Sequence, residues 1–239
     1  MEILAVRLKF HEEQESTKNF KEILKGIDPN IRQKIHKFHR YEDKLRSLCG
    51  EMLLQIFSYY YWNFPRKSIM REVNSYGKPV FANYPEHHFN ISHSGDWVVA
   101  AFDNSPVGID IEKIVPIDLE ISKSFFASSE LNVIQMRNNK QEQIKLFYQI
   151  WTLKESYVKA IGKGLSIPLN SFAIDFSNGK PVILQKSKSD FFMWNLMQYN
   201  LNNEYALSVC SQNPNFPKQI RLLEWEELNQ YFAKINSNC

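Results

Sequence analysis

A faint internal echo constrains this chain's fold more than any other feature. Asn74-Ser75-Tyr76-Gly77-Lys78-Pro79-Val80-Phe81 returns as Phe176-Ser177-Asn178-Gly179-Lys180-Pro181-Val182-Ile183, offset by 102 residues. Each copy follows a segment with helical apolar spacing, Arg46–Trp62 in the first case and Ile150–Ile161 in the second. Each precedes apolar runs that read as strands: Phe89–Ile91 and Trp97–Phe102, then Phe191–Tyr199 and Tyr205–Cys210. Gly-Lys-Pro by itself is an ordinary turn. The preserved order of helix, turn and strands predicts two similar α+β halves. Turn residues Asn104-Ser105-Pro106 set the boundary, giving an N-terminal half at 1–105 and a C-terminal half at 106–239.

Local signals fill in the halves. Met1–Leu8 alternates like a strand and lacks a signal-peptide core. Lys18–Leu24 and Pro29–Trp62 read as helices, with Asp28 as N-cap and Pro29 at the first helical position. His93-Ser94-Gly95-Asp96 turns the chain between two strands. Leu119–Phe126 and Glu130–Met136 read as short helices, the latter capped by Ser128 or Ser129. Asn138–Gln143 reads as a polar surface loop, and the tail beyond Lys234 as frayed. The apolar stretch Leu48–Trp62 is interrupted by Gly50, Glu51 and Gln55 and is too short to cross a bilayer. A net charge of +3 is too mild to argue for nucleic acid, though clustered basic residues would suit an anionic ligand or acidic partner. Cys49, Cys210 and Cys239 are odd in number and scattered, which implies no disulfide framework and a reducing compartment. The expectation is a soluble cytoplasmic protein.

Two polar segments carry the chemistry. Gly108-Ile109-Asp110-Ile111-Glu112-Lys113 reads as a strand that puts Asp110 and Glu112 on one face, because strand side chains alternate. Trp151–Lys159 reads as a helix with Phe147, Ile150, Trp151, Tyr157, Val158 and Ile161 as its apolar stripe and Glu155 at the margin. Three carboxylates at a partly dry site repel one another unless a cation joins them. Mg²⁺ takes a few carboxylates plus water and substrate phosphates. The plain alternative stays open at this level: strand carboxylates often face solvent, and Glu155 with Lys159 is an ordinary i,i+4 helix pair.

These segments, with Tyr76-Gly77-Lys78-Pro79 and Phe89-Asn90-Ile91-Ser92-His93-Ser94-Gly95, resemble the hallmark motifs of the 4′-phosphopantetheinyl transferases, surfactin-type branch. The resemblance runs from about Asp28 to about Trp225. It implies a pseudo-dimer of two α/β halves with the active site in the cleft between them, acting as a monomer. It also implies the reaction: a carrier-protein serine attacks the pyrophosphate of coenzyme A, and the phosphopantetheine arm is transferred with release of 3′,5′-ADP. By the same resemblance Asp110, Glu112 and Glu155 are the Mg²⁺ ligands, Glu155 accepts the serine proton directly or through water, and Lys159 steadies the departing phosphate. Lys34, Arg46, Asn90, Ser92 and His93 match phosphate contacts, and Tyr76, Gly77, Lys78 and Pro79 match the loop against adenine. Ile31 departs from the family, whose close relatives carry lysine there. Lys163, Leu165 and Ile167 fall in the region implied to meet an apo peptidyl or acyl carrier protein. No nucleic acid or membrane partner is implied.

Adjacent His87 and His88 point to opposite faces of a strand and, with His93, do not read as a metal cluster. Two rival functions stand beside this one. A non-catalytic coenzyme A or carrier-binding module would keep the cleft but lose the ligands, and the presence of all three carboxylates opposes it. An Mg²⁺-dependent phosphoesterase would use the same triad to activate water.

Overall fold

The computed structural model describes residues 1–10, 20–65, 69–176, 179–185 and 194–237, with Leu165 and Gln185 described by backbone alone. The first half comprises β1 (Glu2–Arg7), α1 (Pro29–His36), α2 (Tyr41–Tyr61), β2 (Arg71–Val73), β3 (Pro79–Phe81), β4 (His88–Ser94) and β5 (Trp97–Asp103). The second opens with β6 (Val107–Lys113), α3 (Ser122–Phe125), α4 (Ser128–Gln135) and α5 (Lys140–Ile161). It continues with β7 (Phe172–Asp175), β8 (Val182–Gln185), β9 (Asn195–Tyr199) and β10 (Tyr205–Ser211), and the chain closes with β11 (Arg221–Leu223) and α6 (Trp225–Ser237).

The echo marks equivalent places in an α+β fold. Gly77 lies between β2 and β3, and Gly179 between β7 and β8; both are left-handed, at φ 88° and 74°. Each closes the same turn, Gly77 donating to Asn74 O at 2.9 Å and Gly179 to Phe176 O at 3.0 Å. The sheets match as well: β1-β5-β4 in one half and β6-β10-β9 in the other, each ordered first strand, last strand, fourth strand. Ile3 and Ala5 of β1 and Val99 and Ala101 of β5 share one core with Ile109, Ile111, Leu207 and Val209. Helix α2 covers the other face of the first sheet, over Leu4 and Val6, and α5 packs on β6 and β10.

Strand β4 runs beside β6, and side chains join them. Asn90 Oδ1 accepts the Ile109 amide at 2.8 Å, Ser92 Oγ the Ile111 amide at 3.4 Å and Ser94 Oγ the Lys113 amide at 3.0 Å. This ladder is the seam between the halves.

Four expectations need correction. Asp28 caps α1 as expected, its carboxylate accepting the amides of Asn30 and Ile31. The helix then stops at His36, because the Lys37 and Phe38 amides turn back to Lys34 and Ile35, and α2 restarts at Tyr41. Helix α4 is capped at Ala127, whose amide donates to Glu130 Oε2 at 2.8 Å, so Ser128 and Ser129 lie inside it. Lys140–Gln143 form the first turn of α5 rather than a loop, since the Asn139 side chain accepts the Glu142 amide. As far as Ser237 the tail is not frayed: β11 pairs parallel with β1, and Leu223, Leu228, Phe232 and Ile235 enter the first-half core, while residues 238–239 lie outside the described residues. Residues 221–237, which the sequence division puts with the second half, therefore complete the first. Residues 18–19 and 191–193, expected at the edges of a helix and a strand, lie outside the described residues. No helix among the described residues is long and apolar enough to cross a membrane.

Candidate active site

Close helix–strand packing assembles the site. An added Cβ on Gly108 would run into the backbone of Ser156, Lys159 and Ala160, so α5 lies directly on β6 at this glycine. Two residues further along β6, Asp110 faces the helix, and Ile109 and Ile111 face the shared core. Thr152 Oγ1 and Ser208 Oγ, 2.8 Å apart, fix the helix to the neighbouring strand.

Asp110 is 3 % exposed. Its Oδ1 accepts from Ser92 Oγ at 3.1 Å and from Lys159 Nζ at 2.5 Å, whereas Oδ2 is buried with no hydrogen-bond partner. Glu112 accepts from Ser94 Oγ at 2.8 Å. Glu155 is half-buried, one helical turn before Lys159. Burial pushes all three carboxyls above their ordinary range. The Asp110 charge adds to that in Glu112 and Glu155, and Lys159 draws each of the three back. Among the described residues, no three His, Cys, Asp or Glu side chains converge closely enough to hold a metal. The Lys159 ammonium stands against Asp110. The Asp110 charge raises the pKa of Glu112 and Glu155, and with a buried Asp110 oxygen left without a partner this fits a further cation.

A cavity of about 290 Å³ adjoins these groups. Its lining joins Tyr76, Gly77, Lys78, Pro79 and Asn90 of the first half to Glu155, Val158, Lys159, Gly162 and Gly164 of the second. Lys78 also braces this wall. Its Nζ donates to Val107 O at 3.1 Å and Ala160 O at 3.2 Å, and burial lowers its pKa to about 8.

The other anticipated phosphate contacts stand outside that lining. Lys34 is exposed on α1. Arg46 donates to Gly95 O at 2.8 Å and Asp43 Oδ1 at 2.6 Å, with its guanidinium 5.0 Å from the centre of the Phe10 ring. Ser92 is engaged by the seam, by Asp110 and by Lys159. His93 is exposed at the surface, and desolvation of its ring and then the Arg46 charge push it below its ordinary value. Lys163 is exposed, and Ile167 is half-buried against the second-half core. The Leu165 side chain lies outside the described residues.

Comparison with known proteins supplies the family. Residues 12–105 match the 4′-phosphopantetheinyl transferase N-terminal model, and residues 106–210 match the 4′-phosphopantetheinyl transferase superfamily model. The chain is 39% identical over 202 residues to 4′-phosphopantetheinyl transferase Sfp of Bacillus subtilis, covering 84% of this chain and 89% of that one. The chain belongs to the 4′-phosphopantetheinyl transferase superfamily. It is also 42% identical over 183 residues to the transferase gsp of Aneurinibacillus migulanus, covering 75% of each chain. The transferase psf-1 of Bacillus pumilus is 32% identical over 228 residues, 95% of this chain and 97% of its own.

Within this transferase, two residues that reading the sequence passed over shape the site. Gly108 sets the helix–strand distance, and Ser94 holds Glu112. Gly108 preceding two acids on a strand was a usable signal. The partner of Ser94 is distant in sequence, and nothing local announces it.

Proposed function

We propose that this chain transfers the 4′-phosphopantetheine arm of coenzyme A to a serine of an apo carrier protein, with Mg²⁺. The observation that carries this is the unpartnered Asp110 oxygen, whose charge acts on Glu112 and Glu155, together with a cavity that Glu155 and Lys159 line opposite Tyr76–Pro79. Family membership supports the same reaction.

Asp110, Glu112 and Glu155 would hold Mg²⁺, which when bound neutralises charge on the pyrophosphate oxygens. Tyr76, Gly77 and Pro79 would receive the adenine. Lys34, Arg46, Asn90, Ser92 and His93 are proposed for the phosphates, with Arg46 leaving Asp43 to do so. Glu155 takes the proton, directly or through water, as the serine oxygen bonds to phosphorus. The phosphorus–oxygen bond to the adenosine side breaks, and its electron pair leaves with 3′,5′-ADP, steadied by Lys159. Positioning and charge neutralisation suffice for such a displacement. Lys163, Leu165 and Ile167 are proposed to meet the carrier. Buried free thiols at Cys49 and Cys210 suit a cytoplasmic setting, and the enzyme is proposed to act as a monomer.

The test is incubation with coenzyme A, Mg²⁺ and an apo peptidyl carrier domain, followed by mass spectrometry of the carrier. A gain of one phosphopantetheine is the expected result. An unchanged carrier would favour a binding module, and coenzyme A hydrolysis without carrier would favour a phosphoesterase.

A further inference from the structure

Residues 163–171 form a short strap from the end of α5 to the start of β7, and both of its ends are tied from inside the protein. At the first end, Gly162 turns left-handed at φ 76°. The carbonyls there are taken by Asn74 Nδ2, at 2.8 Å from Gly162 O, and by Lys78 Nζ at Ala160 O. At the far end, Lys154 Nζ donates to Leu169 O at 2.8 Å and Phe172 O at 2.6 Å.

Lys154 has no part in the carboxylate cleft. It is 0 % exposed, pairs with Glu130 Oε2 at 2.9 Å and lies 4.3 Å from the centre of the Phe172 ring. Glu130, 1 % exposed, spends its other contacts on the amides of Ala127 and Ile174. Removing two charges from water is costly unless hydrogen bonds satisfy them, and here backbone groups on both sides of β7's start do so. The one pair thus fixes where the strap ends relative to α5, the helix that carries Glu155.

We propose that Lys154 and Glu130 are positioning residues for the carrier protein, setting the strap that receives it without touching coenzyme A. This rests on the reading that Lys163–Ile167 meets the carrier. It separates the two ends: the Asn74 and Lys78 end is shared with the cavity wall, and the Lys154 end is not.

Lys154→Met combined with Glu130→Gln removes both charges together and leaves the Leu169 and Phe172 carbonyls without their donor. In the transfer assay with coenzyme A and an apo peptidyl carrier domain, the carrier KM should rise about tenfold, with kcat and the coenzyme A KM within about twofold. Asn74→Ala, which loosens the shared end, should raise both KM values. An unchanged carrier KM in the double variant, or a rise matched by that for coenzyme A, overturns the proposal. Hydrogen exchange on the wild-type enzyme judges the tethering even if that variant fails to fold. The Ser166, Ile167 and Ser171 amides are bonded within the strap. They should exchange at least about tenfold slower than an unstructured chain, and unprotected rates overturn the proposal. A wild type that never modifies the carrier would instead sink the functional reading, leaving exchange to decide whether the strap is held.

Discussion

Asp110 has one oxygen that Ser92 and Lys159 satisfy and one that no group satisfies, an expensive state for a buried carboxylate. Asp110→Ala should therefore cost little stability while lowering turnover by about 100-fold or more, a typical loss when a group stabilising transition-state charge is removed. Turnover at saturating Mg²⁺ and a melting curve on the same sample check both halves of the statement; near-wild-type turnover would remove Asp110 from the ligand set. Lys78 makes a pH prediction. Its folded pKa, about 8, lies below the ordinary 10.5, so between those values the folded state releases a proton the unfolded state keeps. Stability from this group is lowest below pH 8 and rises towards pH 10.5. Relative to Lys78→Met, the wild type should gain melting temperature across that window, and parallel curves for the two proteins would contradict the assignment. The acids were legible because strand alternation alone puts Asp110 and Glu112 on one face. The duties of Ser92 and Lys78 were not, since their partners lie across the molecule: Lys159 and Asp110 for one, Val107 and Ala160 for the other.

Helix α5 is the element on which most of the site depends, and its seat on β6 is set by a missing side chain. Gly108→Ala would push a methyl into the backbone of Ser156 and Ala160, which cannot move as a flexible side chain can. The expected cost is about 1–3 kcal/mol by urea denaturation. Turnover should fall as well, because Glu155 and Lys159 ride on the displaced helix. Full activity in a stable Gly108→Ala protein would mean that the helix and strand are not in the contact described. Apolar spacing identified this helix well, but its start depended on Asn139 reaching the Glu142 amide, a cap that looked like one more polar loop residue. The α1–α2 break was hidden for a similar reason. Apolar spacing continues through residues 29–62, and only the turned-back amides of Lys37 and Phe38 end the first helix.

At the scale of the whole molecule, the halves are not self-contained. Leu223, Leu228, Phe232 and Ile235 are each no more than 5 % exposed in the first-half core. Four such side chains at about 2 kcal/mol each represent roughly 8 kcal/mol, comparable to the entire stability of a domain. A chain ending at Gln219 should fail to fold, visible as insoluble expression or lost circular dichroism; a soluble, cooperatively melting product would contradict this. The two-half plan was legible from the echo, because a turn that needs glycine keeps its sequence. The closing strand and helix were not, because their partner strand lies at the opposite end of the chain. The matched sheets also reveal where the likeness between the halves is given up. On its helix-facing side β1 carries Leu4, paired with Ala100, and Val6. The corresponding side of β6 carries Asp110, paired with Ser208, and Glu112. Places filled by hydrocarbon in one copy are filled by acid in the other, so a duplicated plan yields one reactive cleft rather than two, and its first copy serves as the buttress for its second.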